Sequence, residues 1–119
     1  MGKNKKDLLL GKLDLLVLRI LSCDQSMHGY AIAERIEQLS ENVLKVGEGS
    51  LYPALHRMDE AGWIRSEWAP SDNNRRARYY KITTAGRTHL RTETKSWMKY
   101  AETVTTILTV AAEDGAPAR

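Results

Sequence analysis

Apolar residues recur at helical spacing through the first half of the chain. They predict a helix over residues 13–22 and a second over residues 29–40. A third helix, over residues 48–62, carries the most informative pattern, because its two sides differ in chemistry. Its inner side follows the i, i+4, i+7 spacing of a buried face, with Leu51, Leu55 and Met58.

The outer side of the third helix carries side chains that form hydrogen bonds, not the Lys/Glu mixture of a solvated surface. These residues are Tyr52, His56, Arg57 and Glu60. Ser50 is expected to cap the helix and Pro53 to lie in its first turn, where a missing N–H has no intrahelical partner. Gly62 suits the position after the last helical residue. The major groove of DNA accepts a short helix with such a face.

After Gly62 the hydrophobic period changes from helical to two. Residues 63–69 and 77–83 alternate as strands, and the turn-forming residues 70–74 join them into a hairpin. Trp63 and Trp68 are assigned to the hairpin and the core. The tip and the return strand carry Arg75, Arg76 and Arg78.

The segments between the helices are short. Residues 24–29 read as a turn, and His28 is expected to be a capping or turn histidine at the start of the second helix. Residues 43–46 are too short for more than a bridging strand. Thr83 or Thr84 is expected to cap a last helix over about residues 85–111.

The last helix has an apolar residue every seven positions, which suggests a seam between two subunits. The repeat consists of Leu90, Trp97, Val104 and Ala111, with Thr94, Ala101 and Leu108 between them. The first helix is apolar on more than one side, which indicates more than one packing partner. Together they predict an effector or dimer interface that includes Leu13, Val17, Leu90, Trp97, Ala101, Val104 and Leu108.

Length and charge set further bounds. A chain of 119 residues that is 42% hydrophobic forms one small domain, whose thin core would benefit from dimerisation. The net charge of +3 matters only where the basic residues cluster. A single cysteine, Cys23, excludes an internal disulfide and is expected to be packed or half-buried. No apolar stretch reaches membrane-spanning length, so a cytoplasmic protein is expected.

The predicted fold class is mainly α with a small β-hairpin: a winged helix-turn-helix followed by a long C-terminal dimerisation helix. We expect a flexible basic arm at residues 1–7, the winged domain at 8–83, the dimerisation helix at 84–112 and a disordered tail at 113–119. In such a fold the third helix enters the major groove and the hairpin wing lies along the backbone. The expected DNA contacts are Ser50, Tyr52, His56, Arg57, Arg75, Arg76 and Arg78.

Five segments resemble the PadR family of bacterial transcriptional regulators, and the likeness spans about residues 8–110. They are Leu-Asp-Leu-Leu-Val-Leu from position 13, His-Gly-Tyr-Ala-Ile from 28, Gly-Ser-Leu-Tyr-Pro-Ala-Leu from 49, Glu-Ala-Gly-Trp-Ile from 60, and Tyr-Tyr-Lys-Ile-Thr from 79 with Gly86. The resemblance implies a homodimeric repressor that binds a palindromic operator on double-stranded DNA. The first and last helices would form the dimer interface, and Ser50, Tyr52 and the wing basic residues would approach DNA.

The single last helix resembles the compact branch of that family. Some drug-sensing members of this branch bind planar aromatic compounds between tryptophans of the last helix. Trp97 occupies a matching position, although Thr94 and Ala101 beside it depart from the drug-sensing pattern. An aromatic or hydrophobic effector and plain packing of the seam both stay open for Trp97.

Two other classes of function compete with a DNA-binding regulator. A winged-helix module that binds protein would need an apolar exposed patch, and Tyr52, His56 and Arg57 argue against one. An enzyme is not predicted, because the three histidines lie in different elements and no paired carboxylates or phosphate-binding loop accompany them. No cofactor or metal is expected.

Overall fold

The computed structural model describes residues 12–23, 26–73 and 75–113. The elements in chain order are α1 (Leu13–Leu21), β1 (Met27–His28), α2 (Gly29–Leu39), α3 (Glu48–Glu60), β2 (Ile64–Pro70), β3 (Arg76–Ile82) and α4 (Thr84–Glu113). Three helices, a hairpin wing and a long final helix confirm the predicted fold class. The predicted basic arm at residues 1–7 and the tail beyond Glu113 lie outside the described residues.

The core lies between α1, α2, α3 and the inner part of the sheet. Its fully buried side chains include Val17, Leu18, Ile32, Leu51, Leu55, Met58 and Ile64. α1 contacts α2, α3, β3 and α4, so the second partner that its apolar surface requires is within the same chain. Leu13, Val17 and Leu90 are therefore reassigned from the predicted intersubunit interface to the chain's own core, where Val17 is 0% exposed.

The sheet is antiparallel with strand order β1-β3-β2. β2 and β3 form the predicted hairpin, with Ile64 opposite Ile82 at its base and Pro70 opposite Arg76 near its tip. β1 corrects the sequence analysis, which placed residues 24–29 in a turn, because Met27 pairs with Tyr80 on the free edge of β3. A strand of two residues is too short to show the alternation of apolar and polar positions that predicts a strand. Residues 43–46, considered for a bridging strand, form bends and coil instead.

The end of α1 also differs from expectation. Cys23 is exposed, not packed, because α1 ends at Leu21 and the cysteine lies in the turn beyond it. Its thiol lies 3.8 Å from the carbonyl oxygen of Arg19, within the same turn. His28 behaves as predicted: its Nδ1 accepts a hydrogen bond of 3.2 Å from the Ala31 amide and caps α2.

α3 begins earlier than its polar residues suggested. Gly47 is the N-cap residue, and its carbonyl accepts hydrogen bonds from the amides of Ser50 and Leu51 at 3.1 and 3.0 Å. Ser50 is therefore inside the first turn, and its predicted capping role is wrong. The predicted place of Pro53 in the first turn is also wrong. Pro53 is the sixth helical residue, so its missing N–H leaves the Gly49 carbonyl without its usual intrahelical partner.

As predicted, Gly62 follows the other end of α3, and its φ of +83° lies in the left-handed region. The Gly62 amide donates to the Asp59 carbonyl and the Trp63 amide donates to the Met58 carbonyl, both at 3.0 Å. These two bonds form a Schellman motif, which satisfies carbonyls that the helix end leaves free. The chain then turns directly into β2.

Thr83 joins the end of α3, the base of the wing and the start of α4. Its hydroxyl donates to the Gly62 carbonyl at 2.7 Å and accepts from the Gly86 amide at 3.0 Å. Its own amide donates to the Trp63 carbonyl at 3.0 Å. Trp63 in turn stacks on His89 of α4, with ring centroids 3.7 Å apart. Thr83 is thus the cap of the last helix, one of the two residues predicted for that role.

Gly86 provides a test of this joint. A Cβ at Gly86 would collide with the carbonyl oxygen of Trp63 and approach Ile82 to 2.8 Å. We expect Gly86→Ala to lower the free energy of unfolding by about 2 kcal/mol or more, because the carbonyl cannot move without breaking its bond to Thr83. The matched control is Gly49→Ala, where no atom lies within 4 Å and α3 should gain about 0.5–1 kcal/mol.

Urea denaturation at one fixed protein concentration measures both changes. A Gly86→Ala variant as stable as the parent would contradict the close packing of this joint.

Candidate nucleic-acid interface

The N-terminal half of α3 presents its polar side chains without internal partners. Tyr52 is 42% exposed, and its ring lies against Gly29, where an added Cβ would be 2.8 Å from the ring and its hydroxyl. The glycine that begins α2 therefore makes room for this tyrosine. Ser50 lies one turn before the middle of the helix and is half-buried. Among the described residues, neither the Ser50 nor the Tyr52 hydroxyl has a hydrogen-bond partner.

The C-terminal half of α3 is already paired. The Nε2 atom of His56 lies 3.2 Å from a carboxylate oxygen of Glu60, and the Arg57 guanidinium lies 2.7 Å from the carboxylate of Asp14 in α1. These exposed pairs are weak in water. They nevertheless place two of the predicted base-reading side chains on protein carboxylates. Asp14 is 43 positions from Arg57, so no local pattern in the sequence indicated the pair.

The wing carries an aromatic residue in contact with two arginines. Trp68 lies directly opposite Arg78 in the hairpin, and the guanidinium carbons of Arg76 and Arg78 are 5.6 and 5.5 Å from its ring centroid. Trp68 is 55% exposed, which corrects its predicted place in the core. Trp68 lies on the same face of β2 as the buried Ile64, but the body of the domain covers only the base of the hairpin.

The tip of the wing is closed by hydrogen bonds. The Ser71 amide donates to the Arg75 carbonyl at 2.7 Å, and the Arg75 amide donates to the Asn73 side chain at 3.3 Å. The Arg75 side chain is exposed at this tip. All three wing arginines therefore lie on exposed parts of the hairpin, as predicted.

An open cavity of about 900 Å³ lies between α3, the start of α2 and the wing. Tyr52 borders it from α3, and Trp68 and Arg78 border it from the wing. Tyr80 also lines it. Burial raises the pKa of the Tyr80 phenol above its ordinary value of 10.0, although the charge of Arg78 opposes the shift. The phenol is thus neutral near pH 7 and can donate a hydrogen bond.

Of the seven predicted DNA contacts, only Tyr52 and Arg78 border this cavity. Arg76 lies near the tip of the same wing and Arg75 lies at the tip itself, whereas His56 and Arg57 lie farther along α3. Trp68 and the aromatic residues at the start of α2 also border the cavity, and no sequence pattern predicts them there. A register drawn from the hairpin turn would have placed Trp68 opposite an arginine.

α4 exposes an apolar surface along its second half. Its large exposed side chains are Trp97, Met98, Tyr100, Ile107, Leu108 and Val110, and Ala101 and Val104 are half-buried. The Lys12 ammonium lies 5.1 Å from the Trp97 ring centroid. A second cavity, of about 350 Å³, is lined by Trp97, Tyr100, Lys12, Leu15, Glu93 and Ser96. The side chain of Ala111 lies outside the described part of the chain.

Two further findings concern other kinds of site. No helix in the described ranges is long and apolar enough to cross a membrane. Across those ranges, no group of three or more His, Cys, Asp or Glu residues is placed to hold a metal ion.

Three helices followed by a hairpin wing define the winged-helix fold, and here the polar start of α3 lies beside the arginine-bearing wing. The chain belongs to the PadR-like family of transcriptional regulators, which its residues 17–92 match. This finding confirms the resemblance drawn from the sequence. Regulators of this family bind DNA and dimerise, and the family is not one of enzymes.

Several relatives support the assignment. The chain is 34% identical over 83 residues to a transcriptional regulator of Mycobacterium tuberculosis, covering 70% of this chain and 74% of the relative. It is similar to the crystal structure of a PadR-like transcriptional regulator of Bacillus cereus, with 29% identity and a TM-score of 0.73, covering 86% and 96% of the two chains. A regulator from Clostridium thermocellum, 24% identical with a TM-score of 0.75 and coverage of 84% and 96%, supports the fold.

Proposed function

We propose that this transcriptional regulator is a homodimeric repressor whose α3 and wing bind its operator as one surface. The observation that carries the proposal is that Tyr52 of α3 and Arg78 of the wing border the same open cavity. Two elements that are separate in sequence thus present hydrogen-bonding and cationic groups around one concave surface. A repressor of this kind would occlude the promoter when it occupies its operator.

The two elements would divide the work of recognition. The N-terminal residues of a recognition helix reach base edges, which favours Ser50 and Tyr52 for that role. The wing residues Arg75, Arg76 and Arg78 would contact phosphates, which supply affinity without reading sequence. His56 and Arg57 would join them only by exchanging Glu60 and Asp14 for DNA.

Tyr52 and Arg57 should therefore differ when each is replaced. We expect Tyr52→Ala to weaken binding to the operator about tenfold or more, and to weaken binding to unrelated DNA much less, because it removes a base contact. Arg57→Ala should change operator affinity less than about threefold, because its guanidinium already has a carboxylate partner. Fluorescence anisotropy with DNA from upstream of the protein's own gene measures both.

Tyr52→Phe is the matched control, since it keeps the ring against Gly29 and removes only the hydroxyl. An equal loss on operator and unrelated DNA would reassign Tyr52 to the backbone, and no loss would remove it from the interface. A parent protein without any preference for operator DNA would favour the alternative, a winged-helix module that binds protein.

The second half of α4 supports the dimer. Leu108 is 68% exposed and lies seven residues after Ala101, on a helix about 45 Å long. An apolar stripe at this spacing is covered when a second copy of the helix packs against it. Two-fold pairing would present two copies of α3 about 34 Å apart, and such a dimer reads a palindromic site.

Leu108→Glu should dissociate this dimer. The side chain is exposed in the single chain, so the substitution should leave the fold intact but place a charge in the apolar seam. We expect the dimer dissociation constant to rise by at least about tenfold. Thr106→Glu adds the same charge to an exposed position on the opposite side of α4 and should change little. Sedimentation measures both, and equal effects of the two variants would refute the seam.

Trp97 supports an effector site at the same interface. A planar aromatic compound could stack on its ring inside the 350 Å³ cavity, next to Tyr100 and the Lys12 ammonium. Occupancy of this cavity would change how α1 and α4 pack. Because α1 also carries Asp14, the partner of Arg57, such a change would reach α3.

A planar dye such as acridine tests this proposal. We expect it to quench tryptophan fluorescence in the parent protein and to quench much less in Trp97→Phe, which keeps Trp63 and Trp68. The dye should also lower operator affinity in the parent but not in the variant. Equal quenching in both proteins would place the dye elsewhere, and plain packing would then account for Trp97.

A further inference from the structure

The exposed tryptophan of the wing has surroundings that a simple hairpin residue does not require. Trp68 packs against the guanidinium groups of Arg76 and Arg78, which lie on the same face of the hairpin by register. A cation–π contact of this kind restrains a guanidinium and leaves N–H groups that can still donate to a ligand. The wing therefore holds two cations in place before any ligand arrives.

A chain of hydrogen bonds connects this group to α3. The Arg78 Nε atom donates to the Ser66 hydroxyl at 2.9 Å, and the Ser66 hydroxyl donates to the Asp59 carboxylate at 3.1 Å. Asp59 lies in the last turn of α3, and both it and Ser66 are half-buried. The orientation of Arg78 is thereby linked to the orientation of α3.

We propose that Trp68 is a positioning residue for DNA binding, which holds Arg76 and Arg78 in the orientation that meets the DNA backbone. The proposal rests on the proposed function, since it names how the wing of that interface is prepared. Long basic side chains lose rotamer freedom when they bind, which lowers affinity. A ring that already restrains them removes part of that loss. The Ser66 bridge fixes one of these arginines, Arg78, relative to α3.

A double-mutant cycle separates positioning from direct contact. We expect Trp68→Ala to weaken operator binding about 3- to 10-fold, whereas Trp68→Phe, which keeps an aromatic platform, should stay within about twofold of the parent. In a background carrying Arg76→Ala and Arg78→Ala, removal of Trp68 should have no further effect. Ser66→Ala should weaken binding about twofold, because it removes only the bridge to α3.

The salt dependence provides a second readout that a purely structural role would not give. Trp68→Ala keeps both cations, so the slope of log affinity against log salt should match that of the parent. Replacement of Arg76 and Arg78 should reduce the slope by about two. Arg91→Ala, which removes an exposed guanidinium from α4, is the control and should leave slope and affinity unchanged.

Several outcomes would overturn the inference. An equal loss of operator affinity for Trp68→Ala with and without the two arginines would make Trp68 a direct DNA contact or a residue that stabilises the fold. Unchanged affinity for Trp68→Ala would mean that Trp68 has no role in DNA binding. Should Trp68→Ala fail to fold, Trp68→Phe compared with Trp68→Leu provides the same test, with loss expected only for leucine. Failure of the parent protein to bind DNA would contradict the proposed function itself. Operator binding by the parent without coupling between Trp68 and the two arginines would contradict only this inference.

Discussion

The hydroxyl of Thr83 is the contact on which the geometry of the molecule most depends. This hydroxyl donates to the carbonyl of Gly62, just beyond the end of α3, and accepts from the amide of Gly86 in the first turn of α4. The Thr83 amide meanwhile closes the base of the wing on Trp63. Three parts of the molecule, namely α3, the wing and α4, thus meet at one residue. Stacking of Trp63 on His89 stiffens the same joint.

The electrostatics of α3 divide it into an open half and a paired half. Ser50 and Tyr52 have no partners among the described residues, whereas His56 and Arg57 lie against Glu60 and Asp14. Both carboxylates would have to be displaced before DNA could use the second half. The exchange of one exposed pair for another releases little free energy. We therefore propose that base reading lies in the first two turns of α3 and charge neutralisation on the wing.

The sequence was sufficient to predict an element of the fold wherever a hydrophobic pattern repeats over many residues. The helices, the hairpin and the seven-residue repeat of α4 follow from periodicity, and Gly62 and His28 followed from the known chemistry of helix ends. Their boundaries in the structure lie within about two residues of those predicted. Gly47 shows the limit, because a glycine N-cap acts through its backbone alone and leaves no side-chain signal for the start of α3.

The parts that could not be predicted depend on contacts between distant positions. Val17 was assigned to an intersubunit interface because an apolar residue looks the same whether its partner is in the same chain or in another. Trp68 was assigned to the core because strand alternation shows which face a residue occupies, not how far the covered part of that face extends. The pair of Asp14 with Arg57 joins two helices whose relative placement only the fold reveals.

The central claim, that two copies of α3 and the wing bind DNA as one surface, is tested most directly by hydroxyl-radical footprinting. The parent protein would be footprinted on the DNA upstream of its own gene. The account predicts two protected patches on one side of the duplex, about one helical turn apart from centre to centre, with further backbone protection beside each patch from the wing. A single protected patch, or protection that does not depend on the DNA sequence, would contradict it.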